Sequence, residues 1–259
     1  MAMIRLTMKG GPPPIIVPVI LVLMVAKYRT TAPWGGDEGL MLFPMLGGFV
    51  TNFRFDSRKF RIPPKMAKMI DPVQQMALVA VDQALEDAGI HKDSAIDRSR
   101  IAVILGQSMG GSVRDEYTMR IQYPAIRAAL EAVPGFASLD RTTQRGILDA
   151  FEVEYKQGLP PINEDSMPGE LSNVTAGRIA NAFDLGGPNF TVDAACASSM
   201  AAVQSAVKGL QDGDFDVAVT GGADGSMDAQ TYTKFCKIGA LSPDHSSPFD
   251  QSANGFVMG

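Results

Sequence analysis

A cysteine at the junction between a strand-like run and small helix-forming residues is a candidate nucleophile. Cys196 occupies such a junction in TVDAACASSMAA, residues 191–202. At a helix start its sulfur would lie near amide hydrogens that have no partner within the helix. Those amides and the helix dipole favour the thiolate. They can also receive the oxyanion that forms when sulfur attacks a carbonyl carbon. From position alone a buried structural cysteine is an equal reading, since cysteine is among the most buried residue types. Cys236, in TKFCKIGA, stands at no such junction and reads as packing.

A second constellation is GQSMGG, residues 106–111, which satisfies G-x-S-x-G after a strand-like run. In an α/β-hydrolase-type esterase Ser108 would be the nucleophile, with Asp216 or Asp224 and then His245 following in chain order. That pattern is loose, no HGGG-type oxyanion motif precedes it, and it leaves DAACASS unexplained. His91, in AGIHKDS, reads as a solvated loop residue. With only two cysteines and two histidines in the chain, neither a disulfide framework nor a zinc site is expected.

The elements that must position these residues are marked by regular punctuation after Phe55. Asp71-Pro72 places an N-cap before a proline at the first helical position, and Gly89 ends the segment. Between them Val73, Met76, Ala80, Ala84 and Ala88, with Leu85 beside them, recur at helical spacing. RIAVILGQSMGG reads as a buried strand running into a glycine-rich turn. Residues 118–157 read as amphipathic helix broken near Pro134-Gly135, an excursion over the surface. LSNVTAGRIANAF reads as a further helix, ending at Leu185-Gly186-Gly187-Pro188. Then NFTVDA, SSMAAVQSAVKGLQDG and FDVAVTGGAD read as strand, helix and strand, a parallel crossover unit. The class is layered α/β.

Composition agrees. At 259 residues, 46% hydrophobic and 20% charged, the chain suits one large globular domain or two small ones. A net charge of −5 and no basic stripe argue against nucleic acid as a partner. The apolar run Ile15–Ala26 falls short of the about 20 residues a membrane span needs. Arg5 and Lys9 before it give the outline of a signal peptide, but Pro18 interrupts the run and no small-x-small cleavage site follows. A buried strand, or a segment foreign to the domain, is the preferred reading. Cysteine usage points to a reducing, cytoplasmic setting.

DAACASS closely resembles the active-site signature of the β-ketoacyl-acyl-carrier-protein synthases, the condensing enzymes of fatty-acid and polyketide assembly. The resemblance extends to MIDPVQQMALVAVDQALEDAG, GQSMGG, AGRIANAFDLGGPNFTVDAACASS, DVAVTGGAD and FCKIGALSPDHSSPFDQSANGFVMG, in order, over residues 50–259. The wording FDSRKFRIPPKMAKMIDPVQQM is nearer to the ketosynthase domains of polyunsaturated-fatty-acid synthases than to modular polyketide synthases. The resemblance implies a thiolase-like α/β/α fold, of which residues 50–259 would be about the N-terminal half, with residues 1–49 an atypical front segment.

By the same resemblance Cys196 would take an acyl chain from acyl carrier protein, then condense it with malonyl-carrier protein by decarboxylative Claisen reaction. Met109 resembles the apolar residue that gates the acyl tunnel, and Phe235 the aromatic beside the nucleophile. No cofactor is implied beyond the phosphopantetheine that the carrier protein brings, and a homodimer is expected through NFTVDA. The family's two catalytic histidines lie downstream of the motifs seen here, and neither His91 nor His245 matches them. The chain alone is therefore expected not to catalyse condensation. A non-catalytic scaffold of the same fold is the further alternative.

Overall fold

Among the described residues four of the five strands run parallel in one sheet, in the order β1-β2-β5-β3-β4. The computed structural model describes residues 4–5, 15–20, 47–48, 50 and 52–258. The strands are β1 (Ile4–Arg5), β2 (Ile15–Ile20), β3 (Ile101–Gly106), β4 (Asn189–Val192) and β5 (Val217–Gly222). Only β1 is antiparallel to its neighbour. The apolar front run thus contributes a strand: the backbone of β2 pairs with β5 from Ile15↔Val217 to Ile20↔Gly222. Part of segment 1–49 completes the same sheet as the residues after it. Residues 21–26 of that run lie outside the described residues.

The helices before β4 follow the sequence punctuation: α1 (Pro64–Ala67), α2 (Pro72–Asp87), α3 (Ser112–Glu131), α4 (Pro134–Ala137), α5 (Arg141–Gln157), α6 (Ser166–Glu170) and α7 (Ser172–Phe183). After β4 come α8 (Ser198–Asp212) and α9 (Ala229–Lys237). The helix α8 covers one face of the sheet, while α2 and α7 pack on the other. Strand alternation divides the core accordingly. Ile101, Val103, Leu105 and Val219 join Val81 and Ile179 on the α2/α7 side. Ala102, Ile104 and Ala218 join Ala202, Ala206 and Leu210 on the α8 side. Small residues on α8, Ala202 and Ala206, let its axis lie close to the strands.

Two expectations shift in detail. The buried stripe of α2 is shifted and wider than the five helically spaced positions: Val73, Met76 and Ala84 are buried, Ala80 and Ala88 only half-buried, and Gln74, Ala77, Leu78 and Val81 are buried in addition. A helix wedged between sheet and α7 has two covered sides. The α3–α5 excursion is largely exposed, as expected, and is held by its own small core of Tyr123, Phe136 and Leu148. Its first helix begins at Ser112, six residues before the amphipathic pattern does.

Asp71 explains that early start. Its carboxylate is 1% exposed; Oδ1 accepts the Val73 amide at 2.8 Å, and Oδ2 accepts the Val113 amide at 3.0 Å. One side chain therefore caps α2 locally and α3 from 42 residues away. Each cap contributes about 1 kcal/mol. Asp71→Ala should lower stability by about 2 kcal/mol in urea denaturation. Asp71→Asn should cost less, since one oxygen remains as an acceptor.

Candidate active site

Parallel strands bring their carboxyl ends to one edge, where α/β proteins place their ligands. Here Gly106 of β3 is in register with both Val192 of β4 and Gly222 of β5. The segments leaving those three ends carry the candidate residues. Backbone bonds tie them together: Gln107 N donates to Val192 O at 3.0 Å, and Ala223 N donates to Gly106 O at 2.9 Å. Beneath the first of these, Thr175 Oγ1 donates to Gln107 Oε1 at 2.8 Å, and both side chains are buried.

Cys196 is exposed, in a single 3-10 turn (Ala195–Ala197) that leads directly into α8. It therefore stands one residue before the helix's N-cap, Ala197, rather than within the helix. That N-cap, Ala197, has no side chain that could cap the helix, and among the described residues no side chain accepts an amide of the first turn of α8. The turn is formed against local preference. Ala195 has φ +50, in the left-handed region, which costs a residue with a Cβ about 1 kcal/mol or more. Asp193 Oδ1 accepts the Ala195 amide at 2.9 Å, and Ser198 Oγ donates to Ala195 O at 2.6 Å. Ser198 Oγ also accepts the Ala194 amide at 2.9 Å.

The first turn of α8 rests on the strand ends. A methyl group on Gly106 would overlap the Ser198 carbonyl and the Ser199 amide nitrogen. One on Gly222 would lie 2.7 Å from Ser199 Cβ. Only strands ending in glycine admit the helix start this closely. None of these positioning residues (Gly106, Asp193, Ala195, Ser198) was legible as such in the sequence; the glycines after both strands were the available signal.

Met109 lies in the segment that leaves β3, at the same edge. It has φ +52 and is 50% exposed, so it is not core packing. The backbone after it is held by Ser226, whose Oγ donates to Gly110 O at 3.3 Å. Phe235 sits on α9, partly buried beside Tyr232, Leu241 and Met258, with its ring edge-on to Phe256 at 5.4 Å. Cys236 packs against the same cluster, as its sequence context suggested. The structure thus brings Cys196 and Met109 to one edge, and places Phe235 in a separate cluster on the chain that leaves β5.

Neither histidine is hydrogen-bonded to Cys196 among the described residues. His91 is exposed in the loop that leads into β3, at the amino edge of the sheet, where its amide donates to Ser94 Oγ. His245 Nδ1 lies 2.6 Å from Asp244 Oδ1. Hydrogen bonds from Asn254 and then His245 hold the Asp244 carboxyl below the usual carboxylate range.

The Ser-Asp-His alternative is not assembled. Ser108 follows the carboxyl end of β3, whereas Asp216 precedes β5 at the opposite edge and grips Arg100 through both oxygens, at 2.7 and 2.9 Å. Asp224 accepts the Ser226 amide, and His245 is engaged with Asp244. Among the described residues no group of three or more His, Cys, Asp or Glu could hold a metal, and no helix is long and apolar enough to cross a membrane.

Comparison with known proteins places four matches in one family. Residues 44–259 fit the family model "Beta-ketoacyl synthase, N-terminal domain". The chain is 36% identical over 214 residues to a polyunsaturated fatty acid synthase polypeptide of a Thraustochytrium species, covering 82% of this chain and 7% of that one. It is 30% identical over 203 residues to "3-oxoacyl-[acyl-carrier-protein] synthase 2" of Rhizobium meliloti, covering 76% of this chain and 41% of that one. Among solved structures, the oxazolomycin ketosynthase domain OzmH KS7 of Streptomyces albus superposes with a TM-score of 0.56 at 26% identity. That match covers 82% of this chain and 30% of the other. The chain therefore spans less than half the length of each of these relatives.

Proposed function

This chain belongs to the β-ketoacyl synthase family, and we propose from that premise that Cys196 is its acyl-accepting nucleophile. The observation that carries the proposal is the placement of Cys196: exposed, at the start of α8, on the carboxyl edge of a parallel sheet. The substrate would be an acyl chain in thioester linkage to the phosphopantetheine of an acyl carrier protein. The Cys196 sulfur attacks the thioester carbonyl, a new carbon–sulfur bond forms, and the pantetheine thiolate leaves with the proton that Cys196 gives up. The uncapped amides at the start of α8 suit the transient oxyanion.

In the second half of the cycle malonyl-carrier protein loses carbon dioxide, and the resulting carbanion attacks the acyl carbon. A β-ketoacyl thioester forms and the Cys196 thiolate is released. That half needs donors at the malonyl thioester oxygen, each typically worth about a hundredfold or more in rate. His91 at the opposite sheet edge, and His245 bonded to its neighbour Asp244, support a reading in which neither serves that task. We assign to this chain the acyl-loading step and not condensation. By the family resemblance Met109, at the edge that carries Cys196, is proposed to gate the acyl tunnel, and Phe235, in the α9 cluster, to be the family's aromatic on the nucleophile's side. Pairing of two copies through β4 is proposed because β4 is the sheet's edge strand and Phe190 on it is exposed.

The test is direct. Incubation with an acyl-carrier-protein thioester should add one acyl group, mapped by mass spectrometry to the peptide carrying Cys196. Adding malonyl-carrier protein should give no β-ketoacyl product. Acylation at Ser108 or Cys236 instead would refute the assignment, and β-keto product would refute the restriction to loading.

A further inference from the structure

We infer that Ser198, supported by Asp193, is the positioning residue that holds the Cys196 turn in its reactive shape; the inference rests on Cys196 being the nucleophile. Three backbone groups immediately before Cys196 are tied to these two side chains. The Ala194 amide donates to Ser198 Oγ at 2.9 Å, Ser198 Oγ donates to the Ala195 carbonyl at 2.6 Å, and the Ala195 amide donates to Asp193 Oδ1 at 2.9 Å. Ser198 is 5% exposed, so water does not compete well for its hydroxyl. A hydroxyl has one proton, and here it is committed to Ala195 O while a lone pair receives Ala194 N–H.

The turn needs such a clasp. Ala195 sits at φ +50, a conformation for which glycine is the default and which alanine leaves when nothing holds it. Neither it nor its neighbours are glycine, so side-chain ties must impose the shape. The clasp is itself seated. The Ser198 carbonyl lies where any side chain on Gly106 would reach, and Ser199 lies over Gly222. Location passes from the strand ends to Ser198, from Ser198 to the Ala194–Ala195 backbone, and so to Cys196. Without the hydroxyl, Ala195 relaxes to negative φ, the following peptide rotates, and the thiol swings away from the start of α8. There it stands farther from the amides of the helix start, which favour negative charge.

Alkylation by iodoacetamide reports this in the 259-residue chain itself, because Cys236 serves as an internal reference. Ser198→Ala should slow modification of Cys196 roughly two- to fivefold relative to Cys236, the range expected for loss of a helix-terminus interaction. Ser198→Thr, which keeps the hydroxyl, should restore most of the rate. Combining Ser198→Ala with Ala195→Gly should recover part of it, since glycine adopts the left-handed turn without a clasp. Asp193→Ala, at an exposed position, should slow Cys196 in the same direction but less, and it decides the matter if Ser198→Ala does not fold. An unchanged Cys196-to-Cys236 ratio in whichever of these alanine variants fold, or a threonine variant as slow as alanine, would overturn the inference. No acyl substrate is involved, so failure of acyl loading and failure of the clasp are separate results.

Discussion

Cys196→Ala should abolish acyl loading from a carrier-protein thioester, by about a thousandfold or more, while leaving the fold and its thermal unfolding essentially unchanged. Loss of the group that forms the covalent bond removes the step outright, and other features of the site cannot compensate. The side chain is exposed and outside the hydrophobic core, so its truncation opens no cavity. Other nucleophiles are poorly placed to substitute. Cys236 is half-buried among Tyr232, Leu241 and Met258, and among the described residues Ser108 is hydrogen-bonded to neither a histidine nor a carboxylate. Cys196→Ser is the sharper comparison, because it keeps the shape and changes only the nucleophile. A hydroxyl ionises far less readily than a thiol and needs a base bonded to it, and among the described residues no histidine or carboxylate is hydrogen-bonded to Cys196. It should therefore be nearly as inactive as alanine. Single-turnover labelling with an acyl-carrier-protein thioester measures both. Loading that survives in Cys196→Ala at more than a few per cent of the parent rate would move the nucleophile elsewhere.

What was legible in the sequence follows the range of the forces concerned. The start of α2 was readable because Asp71 and Pro72 act on their own helix. The start of α3 was not, because the same carboxylate caps Val113 from another part of the chain. The unit of β4, α8 and β5 was readable as a parallel crossover from its composition. That β3 lies between its two strands was not, since pairing is set by packing on both faces of the sheet. The candidate site divides in the same way. Cys196 stands at a junction that composition reveals, and Met109 and Phe235 were carried by motif resemblance. The left-handed Ala195 leaves no trace in composition, because alanine signals helix and here Asp193 and Ser198 hold it out of one. The edge-on packing of Phe235 on Phe256 likewise depends on the return of the chain after α9.

Gly106→Ala should be among the most damaging single-methyl changes in the chain, costing about 3 kcal/mol, the upper part of the usual range for overpacking. The atoms in the way are the Ser198 carbonyl and the Ser199 amide nitrogen. They are backbone, so no rotamer change relieves the overlap, and either β3 or the start of α8 must move. Gly106 is paired on both sides, with Val192 and with Gly222, which leaves the helix as the part that yields. Displacing it pulls Ser198 away from the Ala194–Ala195 backbone, so folded Gly106→Ala should also show slower alkylation at Cys196 than at Cys236. Two companions fix the interpretation. Gly222→Ala meets a side-chain carbon at 2.7 Å rather than backbone and should cost less, about 1 kcal/mol. Gly146→Ala, within α5 and with open space around its Cβ position, should be stabilising by about 0.5–1 kcal/mol, because alanine is the better helix former. Urea denaturation followed by far-UV circular dichroism orders the three. If Gly106→Ala were as stable as the parent, α8 would not be seated on the end of β3. The positioning of Cys196 by the strand ends would then have to be abandoned, even if Cys196 remained the nucleophile.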